Sequence, residues 1–532
     1  MKVDSAPTAG SCPRFEPNRP AGPGYAARHF AAERSILRNI GISVMGVAVP
    51  LVTLLAIPRL MHGFGVERFG LLTLVWALVA FLSESNLGST RAVTKLVAER
   101  VGLGRDADLP SIIGSGLAVT VGFGLAGGAT IWALSPWLLE HALRVPPDLR
   151  REAQHSAYLL ACTLPFFTTS TAMRGILEAH QRFGLVYAIR TPMMVGTYIG
   201  PLLVLPFSGN LFYAVAAVVA ARLLEWLAHT VACLAVMPVV RRHGLRVRSD
   251  AASSVINLSS WMAISSLMPL LSYLDRFVIG ALVSTAAVAY YAGPFELVTK
   301  MLSLPGAVVR VLFPVFSATS LHDRRRSEML FVRAVKYLFL TMLPLTVVLV
   351  AFAKEGITLW LGAQFAVPCA PVLRLLAIGV LINTVAFVPY NLIQGIGRPD
   401  LTAKLHMIEL IIYLAVLPML IKAFGIRGAA IAYVGVRTID AVGLLALAAA
   451  LSIKLPLSIY ATFLAGAALI MEAALSMWLG IEARTVLLAG SFAVFGLFVW
   501  LAVFDEAERT FFGSGFISIR TRIAKPAAEP AS

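Results

Sequence analysis

The chain is 532 residues long, and its composition places it in a membrane rather than in water. Hydrophobic residues make up 58% of it, charged residues make up only 14%, and the mean hydropathy is +0.81. Soluble domains carry about 25% charged residues, so this composition excludes a soluble globular enzyme. The net charge of +16 requires no nucleic-acid partner, because basic loops that face anionic lipid account for it.

Apolar runs recur along almost the whole chain. A helix needs roughly 20 apolar residues to cross the bilayer core, and long continuous runs favour helices over the short alternating strands of a membrane barrel. We predict an all-α membrane protein with about 14 transmembrane helices. The predicted spans are 37–60, 69–90, 110–137, 154–176, 184–207, 211–239, 254–283, 286–318, 332–353, 369–395, 401–421, 427–451, 458–479 and 485–504.

The distribution of Lys and Arg predicts the orientation of the spans. The segment before Ile36 is rich in Pro, Ala and Arg and has no apolar core, so we interpret it as a disordered tail and not as a signal peptide. With this tail in the cytoplasm, 28 of the 44 basic residues lie in cytoplasmic segments, nine in external loops and seven inside spans. This positive-inside bias predicts that both chain ends are cytoplasmic.

Weak similarities between the two parts of the chain indicate a duplication of six spans. Arg222 aligns with Arg437 at an offset of 215, and Arg182 aligns with Arg398 at an offset of 216. Parallel repeats of this kind form two lobes with the substrate site between them. The predicted parts are a tail (1–35), a first lobe (36–239), a basic linker (240–253), a second lobe (254–452), two extra spans (453–505) and a cytoplasmic tail (506–532).

Three stretches resemble bacterial polysaccharide flippases, the O-antigen and exopolysaccharide exporters of the multidrug/oligosaccharidyl-lipid/polysaccharide superfamily. They are "LDRFVIGALVSTAAVAYYAGPFELVTKMLSLPGAVVRVLFPVFSA" (274–318), "LSESNLGSTRAVTKLVAE" (82–99) and "GIGRPDL" (395–401). The second stretch has Asn86 where the family usually has Asp. Twelve helices are common in this branch, and the predicted fourteen match the count of the peptidoglycan lipid II flippase.

The resemblance implies what is carried and how. The substrate would be an oligosaccharide on undecaprenyl pyrophosphate or a related carrier. It would move from the cytoplasmic to the outer leaflet of the bacterial inner membrane by alternating access of the two lobes. Membrane lipid surrounds such a protein, and the polysaccharide polymerase and export machinery are its candidate protein partners.

Seven cationic residues lie inside the spans, and all of them except Arg310 are candidate pyrophosphate ligands. They are Arg190, Arg222, Arg276, Lys300, Arg310, Arg374 and Arg437. The Arg guanidinium binds phosphate oxygens in pairs and stays charged when desolvated. Arg190 and Arg374 are favoured because neither has an acid at helical spacing, whereas Arg310 lies near the cytoplasmic end and Arg276 either pairs with Asp275 or reaches outward.

Other cations have simpler explanations. Arg222 with Glu225, Arg437 with Asp440, and Glu296 with Lys300 are three or four residues apart, a spacing at which the two charges neutralise each other on one helix face. Arg91 and Lys95 close the second span at a candidate cytoplasmic entrance, although ordinary positive-inside residues fit the same positions.

A polar stripe on the seventh span predicts a wet central cavity. It consists of Asn257, Trp261, Ser265, Ser272 and Asp275. A charge facing lipid is expensive, so such a stripe should face water or a partner. The candidate glycan contacts, chosen for stacking and hydrogen bonding, are Trp261, Tyr290, Tyr291, Tyr390 and Asn391.

The sequence contains no catalytic or nucleotide-binding motif, so we predict a transporter and not an enzyme. We expect no cofactor and no metal, and the scattered cysteines predict neither a disulfide nor a metal site. Energy then comes from a gradient of H⁺ or Na⁺, the membrane potential or consumption of the product. The acids able to take a coupling ion are Glu225, Asp275, Glu296, Asp440 and Glu472.

Three alternative functions stay open at this point. A cation-coupled drug or metabolite exporter of the same superfamily should have an acidic and aromatic interior, whereas this interior is rich in Arg. A lipid II flippase fits the fourteen spans but not the stretch at 274–318. A membrane scaffold without transport would not need charges inside its spans.

Overall fold

The computed structural model describes residues 49–510, except 86–88, 266–267, 307, 309–311, 313–323, 452 and 507. Throughout this part the regular structure is helical. The helices are α1 (Val49–Phe64), α2 (Val66–Ser85), α3 (Ser89–Gly102), α4 (Leu109–Trp137), α5 (Pro147–Ala179), α6 (Phe183–Val204), α7 (Leu211–Val236), α8 (Pro238–His243), α9 (Ser249–Ser265), α10 (Met268–Leu282), α11 (Thr285–Lys300), α12 (Arg324–Ala351), α13 (Ala353–Trp360), α14 (Ala363–Gly395), α15 (Pro399–Phe424), α16 (Ile426–Ala450), α17 (Leu457–Leu475) and α18 (Ile481–Phe498).

The chain is a multi-span α-helical membrane protein. Within the described residues, eight helices are long and apolar enough to cross a bilayer, namely α4, α7, α12, α14, α15, α16, α17 and α18. Prolines lie inside several of them, for example Pro136 in α4 and Pro418 in α15. Membrane helices accept such prolines because neighbouring helices and side chains satisfy the freed backbone groups. The number of fourteen spans stays a prediction.

Helix bounds recur at the offsets found in the sequence. Both α5 and α14 contain 33 residues and start 216 positions apart, and α6 and α15 also start 216 positions apart. The turns that follow α5 and α14 share a left-handed residue, Gln181 with φ 58° and Gly397 with φ 83°. These matched bounds support the proposal that six spans were duplicated.

The hairpin between α15 and α16 is tight because glycine occupies two of its positions. Gly425 has φ 60°, a conformation that side chains disfavour. A Cβ atom added to Gly428 would lie 2.0 Å from the carbonyl oxygen of Leu420, so only glycine allows this approach. The hairpin fixes the two helices side by side, and both contribute charged residues to the interior.

The predicted linker 240–253 is bound to the first part of the chain. The backbone N–H of Arg246 donates to the Pro110 carbonyl (3.1 Å), and that of Arg248 donates to the Ser115 hydroxyl (2.9 Å). Helix α9 already begins at Ser249, inside the predicted linker, and packs on α3 and α4. The seventh span therefore extends as a helix beyond its predicted start.

Contacts between α1 and α13 join the two predicted lobes. The indole N–H of Trp360 donates to the Leu54 carbonyl (2.6 Å), and His62 Nε2 lies 2.7 Å from the Leu361 carbonyl.

The predicted C-terminal tail starts as an ordered segment, because Glu508 is buried against Lys336 with an O–N distance of 2.5 Å. Ion pairing thus holds the end of the described chain on α12.

Candidate functional site

A polar cavity of about 460 Å³ lies between helices from both halves of the chain. The first half contributes α2, α6 and α7, and the second contributes α10, α11, α14 and α16. Its lining includes the charged residues Arg222, Arg276, Glu296, Lys300 and Arg437 and the polar or aromatic residues Trp76, Tyr198, Tyr273, Phe295, Asn383, Phe387 and Tyr433. This is the location that parallel repeats predict for a substrate site.

Glu296 is the centre of a charge network on one wall of this cavity. Its two carboxylate oxygens accept from Arg276 Nη2 (2.8 Å) and Lys300 Nζ (2.9 Å). The hydroxyl of Tyr198 lies 3.1 Å from Glu296 and accepts from Lys300 Nζ at 3.2 Å. Arg276 is only 1% exposed, and its side chain pairs with Glu296. It therefore neither reaches outward nor pairs with Asp275, the two options that the sequence left open.

Asp275 is fully buried and does not face water in this conformation. It accepts a hydrogen bond from the Tyr291 hydroxyl and another from the backbone N–H of Arg276 (3.2 Å). The carboxylate is therefore satisfied by protein, and the polar stripe does not present it to a cavity. Asn257, at the other end of the stripe, is exposed, while the side chains of Trp261, Ser265 and Ser272 lie outside the described part.

A smaller cavity of about 80 Å³ shares Ala80, Met194 and Arg222 with the large one. Arg174, Arg190 and Glu225 complete its charged lining. Arg222 Nη1 lies 2.8 Å from Glu225 Oε2, as their spacing predicts. We call Arg190, Arg222 and Glu225 the first corner, and we include Met193, which follows Arg190 by three residues on α6.

The corresponding residues of the second half form a different cluster. Arg437 Nη1 lies 4.0 Å from Asp440 Oδ2, and His406 Nε2 lies 3.5 Å from Asp440 Oδ1. Glu409 completes this cluster and was absent from our sequence-based candidates. We call His406, Glu409, Arg437 and Asp440 the second corner. The signal that identifies Glu409 in the sequence is its position three residues after His406, on one face of α15.

Arg374 and Lys95 are described and do not line the central cavity. Arg374 donates from Nε to the Val350 carbonyl (3.1 Å) and is not among the lining residues that the structure describes. Lys95 forms an exposed pair with Glu99 at 3.9 Å. The side chain of Arg91 and the whole of Arg310 lie outside the described residues.

The four described glycan candidates have other partners in this conformation. Tyr291 holds Asp275, Tyr390 stacks on His406 with ring centroids 5.7 Å apart, and the Tyr290 ring lies 6.1 Å from that of Phe365. The Asn391 amide donates to the Phe387 carbonyl at 2.8 Å. The stacking surfaces of the cavity come instead from Trp76, Tyr273 and Tyr433, which no sequence pattern singled out.

Among the candidate coupling acids, Glu472 differs from the others. It lies in α17, outside the repeat, and accepts from the Ser491 hydroxyl of α18 at 2.6 Å. Glu225, Glu296 and Asp440 each contact an Arg. Glu409 of the second corner, in contrast, has no hydrogen-bond partner on either carboxylate oxygen within the described part of the chain.

Comparisons with known proteins identify a family and a relative. The model of the family described as "Polysaccharide biosynthesis protein" matches residues 67–371, which is more than half of the chain. The chain is 27% identical over 408 residues to a Shigella flexneri protein named "Putative O-antigen transporter", covering 75% of this chain and 94% of that one.

Solved structures show the same fold at low identity. The lipid II flippase MurJ in an inward closed conformation aligns with a TM-score of 0.63 and 12% identity, covering 91% of this chain and 100% of that one. A multidrug resistance MATE family transporter in an inward-facing conformation aligns with a TM-score of 0.61 and 15% identity, covering 76% and 96%. The chain therefore belongs to the polysaccharide biosynthesis protein family and has the fold of the transporters of the multidrug/oligosaccharidyl-lipid/polysaccharide superfamily.

Proposed function

We propose that the protein is a flippase for an oligosaccharide linked to a polyprenyl pyrophosphate, acting in surface polysaccharide biosynthesis. The observation that carries this proposal is the charge of the two adjoining cavities. Within the described residues, their linings contain the cations Arg174, Arg190, Arg222, Arg276, Lys300 and Arg437 but only the acids Glu225 and Glu296. Such a surface favours an anionic substrate.

The types of the lining residues suit the two parts of such a substrate. Arg222, Arg190 and Arg437 offer planar guanidinium groups, which match pyrophosphate oxygens better than a Lys ammonium does. Sugars need hydrogen bonds and stacking surfaces, and Asn383 and Tyr273, which also line the large cavity, supply groups of both kinds. Arg276 and Lys300 are paired with Glu296, so this wall of the cavity presents ion pairs.

The two alternatives within the superfamily make different demands on this site. A site for cationic drugs should present acidic groups, and the lining carries more cations than acids. Lipid II shares the pyrophosphate but differs in its glycan. The Shigella relative is named for O-antigen transport, which favours a surface polysaccharide unit.

Alternating access requires that the ends of the cavity open in turn. We propose that the α1–α13 contacts, Trp360 to Leu54 and His62 to Leu361, close one end and separate during the cycle. We propose that the protein lies in the bacterial inner membrane with both chain ends in the cytoplasm. Single cysteines are introduced at positions 209, 284 and 243 of a variant that lacks Cys162. Those at 209 and 284 should react with an impermeant thiol reagent from outside, and the one at 243 should not. Labelling only at 243 would invert this orientation.

Binding to the purified protein tests the substrate. In lipid nanodiscs, native mass spectrometry should detect a complex with undecaprenyl-pyrophosphate-linked oligosaccharide, and Arg190→Ala with Arg222→Ala should weaken it by about tenfold or more, since charge-assisted bonds contribute about 1.5–3 kcal/mol. Inorganic pyrophosphate should compete. Equal or stronger binding of lipid II would instead assign the protein to peptidoglycan, and binding of cationic drugs alone would assign it to drug export.

A further inference from the structure

Glu409 is a buried carboxyl with no hydrogen-bond partner. Its residue exposure is 0%, and neither carboxylate oxygen has a hydrogen-bond partner within the described part of the protein. It lies in the middle of α15, which is long and apolar enough to cross a membrane. An isolated ionised carboxylate in such a place is very costly, and the group avoids this cost by binding a proton.

The groups around Glu409 form a compact acid cluster. One ligand-capable atom each of His406, Glu409 and Asp440 lies within 4.8 Å of the others. Helices α10, α14 and α16 pack against α15. The charged groups of these helices that interact with Glu409 are Arg437 and Asp440 of α16. Tyr390 of α14 stacks on His406, and Asp275 of α10 interacts with Tyr413 of α15.

Charge counting decides the state of this cluster. With neutral His406 and a protonated Glu409, Arg437 and Asp440 balance each other. Ionised Glu409 would add a second negative charge next to Asp440 without a second cation. Like charges at this distance in a dry site repel strongly, and one of the two carboxylates keeps a proton.

We propose that the second corner is a proton-binding site that couples proton movement to transport, with Glu409 as the carrier. This inference rests on the proposed flippase function. The proton sits on a Glu409 carboxyl oxygen and leaves to water by way of His406, whose side chain is 16% exposed while that of Asp440 is only 7% exposed. The exchange moves a proton only, and no bond between heavy atoms changes.

Arg437 connects this site to the substrate cavity. It lines the cavity and also lies 4.0 Å from Asp440. When Glu409 loses its proton, the cluster gains a negative charge and draws Arg437 away from the cavity. When Glu409 is protonated, Arg437 is drawn less strongly toward the cluster and attracts an anionic headgroup in the cavity. Proton binding and substrate binding therefore favour each other in one conformation.

The test is an infrared difference spectrum of the purified protein in lipid as pH is raised in potassium buffer. The wild type should lose a carbonyl stretch of a protonated carboxylic acid, and Glu409→Gln should lack this titrating band. Glu472→Gln is the matched control, because Glu472 is another membrane carboxyl but accepts a bond from Ser491, and it should retain the band. A band that persists unchanged in Glu409→Gln overturns the proposal.

A second variant keeps the proposal testable if Glu409→Gln folds poorly. Asp440→Asn removes the neighbouring negative charge, so the band should disappear at a lower pH than in the wild type; an unchanged midpoint overturns the proposal. Replacing potassium by sodium at fixed pH should leave the wild-type band intact, and its loss would assign the site to Na⁺ instead. The spectrum requires no glycan, so it can succeed even if the binding test of the flippase function fails.

Discussion

The two corners of the cavity occupy corresponding positions but differ in their charged residues. Arg190 is the eighth residue of α6 and His406 the eighth of α15, while Arg222 and Arg437 are each the twelfth residue of α7 and α16. The same alignment places Met193 opposite Glu409 and Glu225 opposite Asp440. The first corner thus has two cations and one acid, and the second has one cation, two acids and a histidine.

The comparison shows where the two corners are alike and where they differ. Both have an Arg with an acid three residues later, a spacing that places the pair on one helix face. The neighbouring helix then decides the local charge, because it carries Arg190 in the first corner and Glu409 in the second. In our proposals, Arg190 makes the first corner attractive to phosphate and Glu409 makes the second a proton site, and a transporter that couples an anionic substrate to protons needs one site of each kind.

The largest effect should come from Glu296, which lies between the corners and belongs to neither. Glu296→Ala leaves Arg276, which is 1% exposed, without its counter-ion. Breaking a buried pair costs about 3–5 kcal/mol, so we expect a large fall in folded yield and thermal stability in detergent. Glu472→Ala is the control and should cost less. Equal losses of stability in Glu296→Ala and Glu472→Ala would show that the Glu296 network stabilises the fold no more than Glu472 in the extra helices does.

Arginine replacements in the first corner should affect export more than stability. Arg190→Ala should severely reduce surface polysaccharide with protein levels near wild type, and Arg190→Lys should reduce it partly, because Lys keeps the charge but loses the planar fork. Arg374→Ala is the comparison, since Arg374 donates to the Val350 carbonyl outside the cavity. An effect of Arg374→Ala as large as that of Arg190→Ala would restore Arg374 as a headgroup ligand.

Met193→Glu should make the first corner resemble the second. The new acid would lie one turn from Arg190 on α6 and neutralise part of its charge, as helical neighbours do. We expect weaker binding of the lipid-linked oligosaccharide, by roughly severalfold, measured on the purified protein. Met193→Gln keeps the size without the charge and should bind nearly as wild type. If both variants bind equally weakly, shape and not charge distinguishes the corners.

The smallest effect should come from Lys95, which lies outside both corners. Its pair with Glu99 spans 3.9 Å, and both side chains are more than half exposed. Exposed pairs contribute about 0–1 kcal/mol, so Lys95→Ala should barely change the thermal unfolding temperature. A clear loss of export at unchanged stability would instead support the predicted role of Lys95 at the entrance.

Local spacing explains which site residues could be predicted. Arg222 with Glu225 and Glu296 with Lys300 are close on one helix face, so their pairing follows from the sequence. Glu409 was not among the candidate acids although it lies inside the predicted span 401–421, and its neighbour at helical spacing is His406. The Arg276–Glu296 pair joins α10 to α11 across 20 residues, and no periodicity indicates such a partner.

The sequence by itself determined that the protein lies in a membrane, that it is helical and which family it resembles. Long apolar runs allow only membrane helices, because backbone groups in lipid must be satisfied within the segment, and the stretch at 274–318 carries the resemblance to the flippases. Tertiary structure decided which charges meet. Asp275 became buried against Tyr291 and Arg374 turned to a backbone carbonyl, because a desolvated charge takes the nearest partner from any neighbouring helix, and helix packing alone decides which neighbour that is.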